Sequence, residues 1–216
     1  MVFRPVRSTS LAAAIGALAI VLPTAACTDR PAPAATPTTV ATSRSAPTTP
    51  SPAGPRYEAG VVGLCARTDL TPLADLSLKV KRTDPAPPPS GPGEACLFEM
   101  ATSDGHIASL RVEAVALASV ADAERLYRAE RAVTRMTPDG PVDGIGEVAE
   151  AFTIETEPGF KYSEYKIHAR SGNLVVEVWL AVGGKAFTPK PTLAEATAAV
   201  AESTLGVVSQ AWRVAS

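Results

Sequence analysis

The sequence predicts an α+β domain: a largely antiparallel six-stranded sheet, built from two strand-strand-strand-helix halves, with both long helices on one face. Three observations predict it. From Arg56 onward, short apolar segments of alternating pattern are separated by glycine turns. Two alanine-rich amphipathic stretches each open on a serine or threonine with an acid three residues on, the mark of a capping box. A short strand of form L-x-V-E precedes each stretch, so the two halves echo one another.

In chain order, a short helix is expected from about Thr68 to Leu76, then strands at about 78 to 83 and 95 to 101. The turn Ser103-Asp104-Gly105-His106 leads into the strand of Leu110-Arg111-Val112-Glu113. Ser119 and Asp122 open a helix over about 120 to 136, with Leu126, Ala129, Val133 and Met136 as its inward stripe and Tyr127 beside it. In the second half, strands are expected at about 148 to 155 and 163 to 169. The turn Arg170-Ser171-Gly172-Asn173 introduces Leu174-Val175-Val176-Glu177. Thr192 and Glu195 then cap a helix over about 193 to 212, whose stripe is Leu193, Ala196, Val200, Val207 and Ala211, flanked by Val208 and Trp212.

The first 55 residues read differently. Arg4 and Arg7 precede an apolar run from Leu11 to Leu22 and then small residues, the layout of an export signal over residues 1–26. The run is shorter than the roughly 20 residues a transmembrane helix needs. Leu22 to Cys27 resembles a bacterial lipobox, although Thr24 stands where an aliphatic residue is preferred. That resemblance implies a lipidated, palmitate-type acylated Cys27 and an anchor on the outer face of the plasma membrane, with plain secretion as the alternative. Residues 27–55 are Pro, Thr, Ala and Ser without an aromatic, too poor in apolar area to fold, so they read as a disordered tether to a single domain over 56–216. Its threonines are compatible with O-linked sugar. With Cys27 assigned to lipid, the chain's 3 cysteines leave Cys65 and Cys96 for one disulfide in an oxidising compartment. The rival reading, a redox or metal pair, lacks CxxC spacing.

Taken together, these features resemble the actinobacterial lipoproteins of the domain of unknown function 3558 family. The similarity rests on the lipobox and tether, Gly63-Leu64-Cys65, Cys96-Leu97-Phe98 and Gly144-Ile145-Gly146-Glu147-Val148-Ala149. Phe98 stands where tryptophan is common and Glu147 where aspartate is usual. The resemblance implies an envelope lipoprotein with a paired cysteine and no established reaction. A fainter likeness to the extracellular sensor domains of mycobacterial receptor kinases implies binding of a ligand or partner.

Nothing in the sequence carries a reaction. No G-x-S-x-G, H-E-x-x-H, P-loop or dinucleotide fingerprint is present, and no cofactor or metal is expected. His106 and His168 are the chain's 2 histidines, and both are expected to face solvent. A formal net charge of -2 gives no footprint for nucleic acid. Strand parity does suggest a binding face. If Leu174, Val176, Val178 and Leu180 lie under the helices, Glu177 and Trp179 point the other way, with Arg111, Glu113 and His168 beside them. Phe187, in the loop from Gly183 to Pro191, is a second aromatic candidate. The expected role is an extracytoplasmic, non-enzymatic binding domain for a protein partner or an apolar, envelope-derived ligand. The alternatives are an accessory lipoprotein of an envelope complex and a hydrolase of unrecognised type.

Overall fold

The computed structural model describes residues 54–214. The export signal, Cys27 and nearly all of the tether expected from the sequence lie outside them. The chain order is α1 (Leu64–Arg67), a 3₁₀ helix (Thr71–Leu76), β1 (Lys79–Ala86), β2 (Gly93–Ala101), β3 (Ile107–Ala116), α2 (Val120–Val133), β4 (Thr137–Pro141), β5 (Val148–Thr156), β6 (Lys161–Ser171), β7 (Leu174–Gly184) and α3 (Lys190–Trp212). All strands join one antiparallel sheet in the order β1-β2-β3-β7-β6-β5-β4.

The sheet has seven strands where six were expected. The addition is β4, whose sequence Thr-Pro-Asp-Gly-Pro argues against a strand because proline donates nothing to a ladder. It is tolerated because β4 is an edge that pairs only with β5 and shifts register between Pro138 and Gly140. At the centre, β3 pairs with β7 so that Glu113 faces Glu177. The glutamates that end the two L-x-V-E segments therefore meet, and the sequence echo marks the middle of the sheet.

The long helices lie on opposite faces, which corrects the expectation that they share one. Leu193, Ala196, Val200, Ala201, Val208 and Trp212 of α3 join Leu110, Val112, Ile167, Val176, Val178 and Leu180 in the main core. α2 instead reaches His168 through Glu130. His168 pairs with Glu177, and Glu177 with Glu113, so all three point away from Val176 and Val178. The physical reason lies in α2's inward side. It presents Ala123, Tyr127 and Glu130, and the latter two need polar partners that only the second face supplies. The expected stripe of Leu126, Ala129, Val133 and Met136 does not dock: Ala129 is exposed, Val133 is 78% exposed, and the helix ends before Met136.

The caps also divide. Ser119 Oγ accepts the Asp122 N–H at 3.1 Å, while its own hydroxyl donates to Asp122 Oδ2 at 2.6 Å. Thr192 does not cap α3, which starts earlier, after Pro189 and with Pro191 in its first turn, where a missing N–H costs nothing. The helix expected over Thr68–Leu76 is a 3₁₀ helix confined to Thr71–Leu76, and α1, which precedes the expected span, was not anticipated. Cys65 in α1 is bonded to Cys96 in β2, with Cα atoms 5.2 Å apart. The Glu94 carboxylate holds the same end of the chain, accepting the N–H groups of Val62 and Leu64 at 2.6 and 2.7 Å. No helix of the described residues is long and apolar enough to cross a membrane.

Candidate binding face

On the face that α2 occupies, side chains line up in rows across the strands. One row runs Ala95, Glu113, Glu177, His168, Glu150; the next runs Leu97, Arg111, Trp179, Lys166, Phe152. A third runs Glu99, Ser109, Ala181, Glu164, Ile154. α2 covers the Glu177, His168 and Glu150 part of the first row and leaves the other two rows without a helix. The strands thus bring together five of the six candidate residues on one face, Arg111, Glu113, His168, Glu177 and Trp179, as parity predicted.

Their accessibility differs sharply. Trp179 is 37% exposed, a high value for a tryptophan at the middle of a sheet. Arg111 is half-buried and donates to Glu113 Oε2 at 2.6 Å, and the other oxygen of Glu113 accepts from Ser90 Oγ at 2.7 Å. Lys166 Nζ donates to Glu177 Oε2 at 3.0 Å. These pairs tie the polar groups to each other and leave the indole as the free apolar surface between them. Glu164, one strand over, is held above its ordinary carboxylate range by burial, partly offset by the neighbouring indole N–H of Trp179.

His168 is not a surface residue. It is 1% exposed, with Tyr127 stacked on its ring at 4.6 Å and Glu130 Oε2 3.2 Å from its Nε2. Burial, aided by the Lys166 ammonium, pulls its pKa down to about 3, so the ring is neutral at physiological pH. Burial also pushes Glu130 up to about 7, reinforced by the adjacent Glu177 carboxylate. The sequence offered one signal for this cluster: Ala123, Tyr127 and Glu130 share a helical stripe as good as the apolar one, but a stripe ending in a glutamate does not read as a docking side.

Phe187 stands apart. The Thr188 N–H donates to Ser163 Oγ at 3.0 Å, and Ser163 pairs with Val182 on the α3 side of the sheet. Lys161 Nζ sits 5.0 Å from the centre of the Phe187 ring. The loop aromatic and Trp179 therefore do not form one surface. The Gly144-Ile145-Gly146 segment is a turn, with Gly144 and Gly146 at φ of 82° and 67° around the buried Ile145.

No protein-family model and no curated protein matches the chain. Among solved structures, the chain is similar to the extracellular domain of PknH from Mycobacterium tuberculosis, at a TM-score of 0.44 and 9% identity over 68% of this chain and 98% of that one. A likeness that distant carries no argument about function.

Two clefts lie away from these rows. One, of about 1100 Å³, is bounded by Tyr57, Pro92, Leu117, Asn173 and Val214 at the end of the sheet where the tether joins. A second, of about 490 Å³, lies beside Cys65, Pro85 and Glu94. No grouping of His, Cys, Asp and Glu among the described residues has the form of a metal site.

Proposed function

We propose that this chain is a binding domain of the cell envelope, held to the outer face of the plasma membrane by a lipid on Cys27, that docks a partner protein on the helix-free part of its second sheet face. The observation that carries this reading is Trp179, exposed at the centre of that area and bordered by Arg111 and half-buried Leu97. Tryptophan and arginine are the side chains that most often dominate interface energies, and a surrounding set of paired polar groups serves as the water-excluding rim. The Cys65–Cys96 bond supports an oxidising compartment. Of the segments behind the family resemblance, Gly63–Cys65 and Gly144–Ala149 lie away from this face, and Cys96–Phe98 contributes only Leu97 to it.

An enzymatic role fits less well. The groups best suited to proton transfer, His168 and Glu130, are spent on each other beneath α2, and the two clefts described above lie elsewhere. The tether-end cleft supports a second reading, an apolar envelope-derived ligand, because its volume of about 1100 Å³, just above the usual range of small-molecule sites, leaves room for one.

The test is Trp179→Ala, expressed in the native envelope and compared with wild type after chemical crosslinking and gentle extraction. The reading expects a crosslinked species that disappears in the variant while the thermal midpoint is unchanged. An identical crosslinking pattern from a folded variant would end the proposal for this face. The intact mass of protein from the membrane fraction tests the anchor: an acyl increment on Cys27 supports it, and an unmodified chain in the medium contradicts it.

A further inference from the structure

α2 is attached by little apolar area, since Ala123 is the one residue of its fourteen that is buried. The rest of its grip is polar. Tyr127 and Glu130 engage His168, Arg131 meets Glu150 at 3.2 Å, and Glu124 lies 4.0 Å from Arg170.

Around Glu130, each neighbouring carboxylate has a cation of its own: Arg111 for Glu113, Lys166 for Glu177, Arg131 for Glu150 and Arg170 for Glu147. Glu130 has no cation of its own: it meets the His168 imidazole and the Glu177 carboxylate, and the nearby Lys166 ammonium is already paired with Glu177. Its Oε2 and His168 Nε2 are the buried side-chain atoms of this cluster that make no hydrogen bond in standard geometry, yet they lie 3.2 Å apart. An ionised Glu130 beside a neutral ring leaves a buried negative charge uncompensated. A protonated Glu130 beside an imidazolium leaves a positive one. A single titratable proton held between the two removes both costs.

We propose that Glu130 and His168 form a one-proton latch that fastens α2 to the sheet, and that α2 loosens when the couple either gains a second proton or loses the one it holds. Lifting α2 returns both groups to water and extends the uncovered face from Trp179 toward Val175. The latch stands whether or not that face docks a partner.

The pH dependence follows from the two shifts. Glu130, raised from 4.5 to about 7, favours the closed latch below pH 4.5 and gives this up as pH rises through 7. His168, lowered from 6.5 to about 3, favours the closed latch above pH 6.5 and gives this up as pH falls toward 3. Between these ordinary values the slopes are opposite and cancel, because the couple carries one proton closed or open. Opening is therefore least near about pH 5.5, about twofold greater at about pH 8 and about tenfold greater at about pH 3.

Amide hydrogen exchange of Tyr127 to Val133 in the partner-free chain, corrected for intrinsic rates, tests this. Wild type is expected to open about twofold less at about pH 5.5 than at about pH 8, whereas Glu130→Gln, which leaves only His168 to titrate, is expected to open about tenfold more. Profiles of the same sign in both proteins would overturn the latch. A Trp179→Ala control, expected to follow wild type, separates this outcome from failure of the docking face. If Glu130→Gln does not fold, the His168 ring-nitrogen shifts of wild type decide. Proton loss near about pH 7 with a second uptake only near about pH 3 supports the couple, and independent midpoints near about 4.5 and 6.5 refute it.

Discussion

Replacing both cysteines by alanine, Cys65→Ala with Cys96→Ala, has a cost that can be worked from the fold. The bond links positions separated by 31 residues. In the chain-entropy treatment a loop of that length removes about 12 cal/mol/K from the unfolded ensemble, or about 3.7 kcal/mol at 25 °C. Alanine is the right replacement because Cys96 is fully buried beneath α1 and a serine there would strand a hydroxyl. The native geometry has a second support, since Glu94 still accepts the N–H groups of Val62 and Leu64, so the loss should appear mainly through the unfolded state. Urea unfolding of the mature chain, with a slope of about 2 kcal/mol/M, should show the midpoint falling by about 2 M. A fall of less than about 0.5 M at unchanged slope would refute the loop-closure argument and assign the hold on α1 to Glu94 instead.

Two further substitutions test how the N-terminal strap is fastened to the sheet. Gly172 has φ of 54°, and a Cβ there would lie 1.8 Å from the Pro55 carbonyl oxygen, so Gly172→Ala should cost about 2–4 kcal/mol in urea unfolding, and a loss under about 0.5 kcal/mol would contradict the close approach. Asn173 accepts the Tyr57 N–H at 2.8 Å and donates to the carbonyls of Tyr57 and Leu117 at 2.9 and 2.5 Å. Asn173→Ala should therefore cost about 2–3 kcal/mol and increase proteolysis near Arg56, with unchanged proteolysis as the contrary result. Trp179→Ala should alter stability by less than about 1 kcal/mol while removing the more acrylamide-quenchable of the chain's two tryptophans, because Trp212 is buried; a larger loss would make Trp179 a packing residue.

Much of the sheet was legible because its signals are local. Alternating residues in Leu174–Leu180 fixed which side chains share a face, and the turn at Gly105, with φ of 80°, set β2 against β3 as read. The α3 stripe was nearly right, drifting at its end from Val207 and Ala211 to Thr204, Val208 and Trp212. The placement of α2 was not legible. Its more apolar side is the solvent side, and its docking side is chosen by the polar row of Glu177, His168 and Glu150, which exists only once three strands are in register. For the same reason His168 read as solvent-facing. Its burial comes from Tyr127 and Glu130, which the sequence places some forty residues earlier. β4 was missed because its prolines are excluded from central strands but accepted at an edge.

The central claim, that the helix-free rows of the second face are where this domain meets its partner, is tested most directly by a photo-crosslinking scan in intact cells. A photo-reactive side chain is placed in turn at Leu97, Ser109 and Trp179 on that face, and at Glu202 and Ala199 on α3. The account predicts one common adduct from the three sheet positions and none from α3. The same adduct from the α3 positions, with none from Trp179, would contradict it.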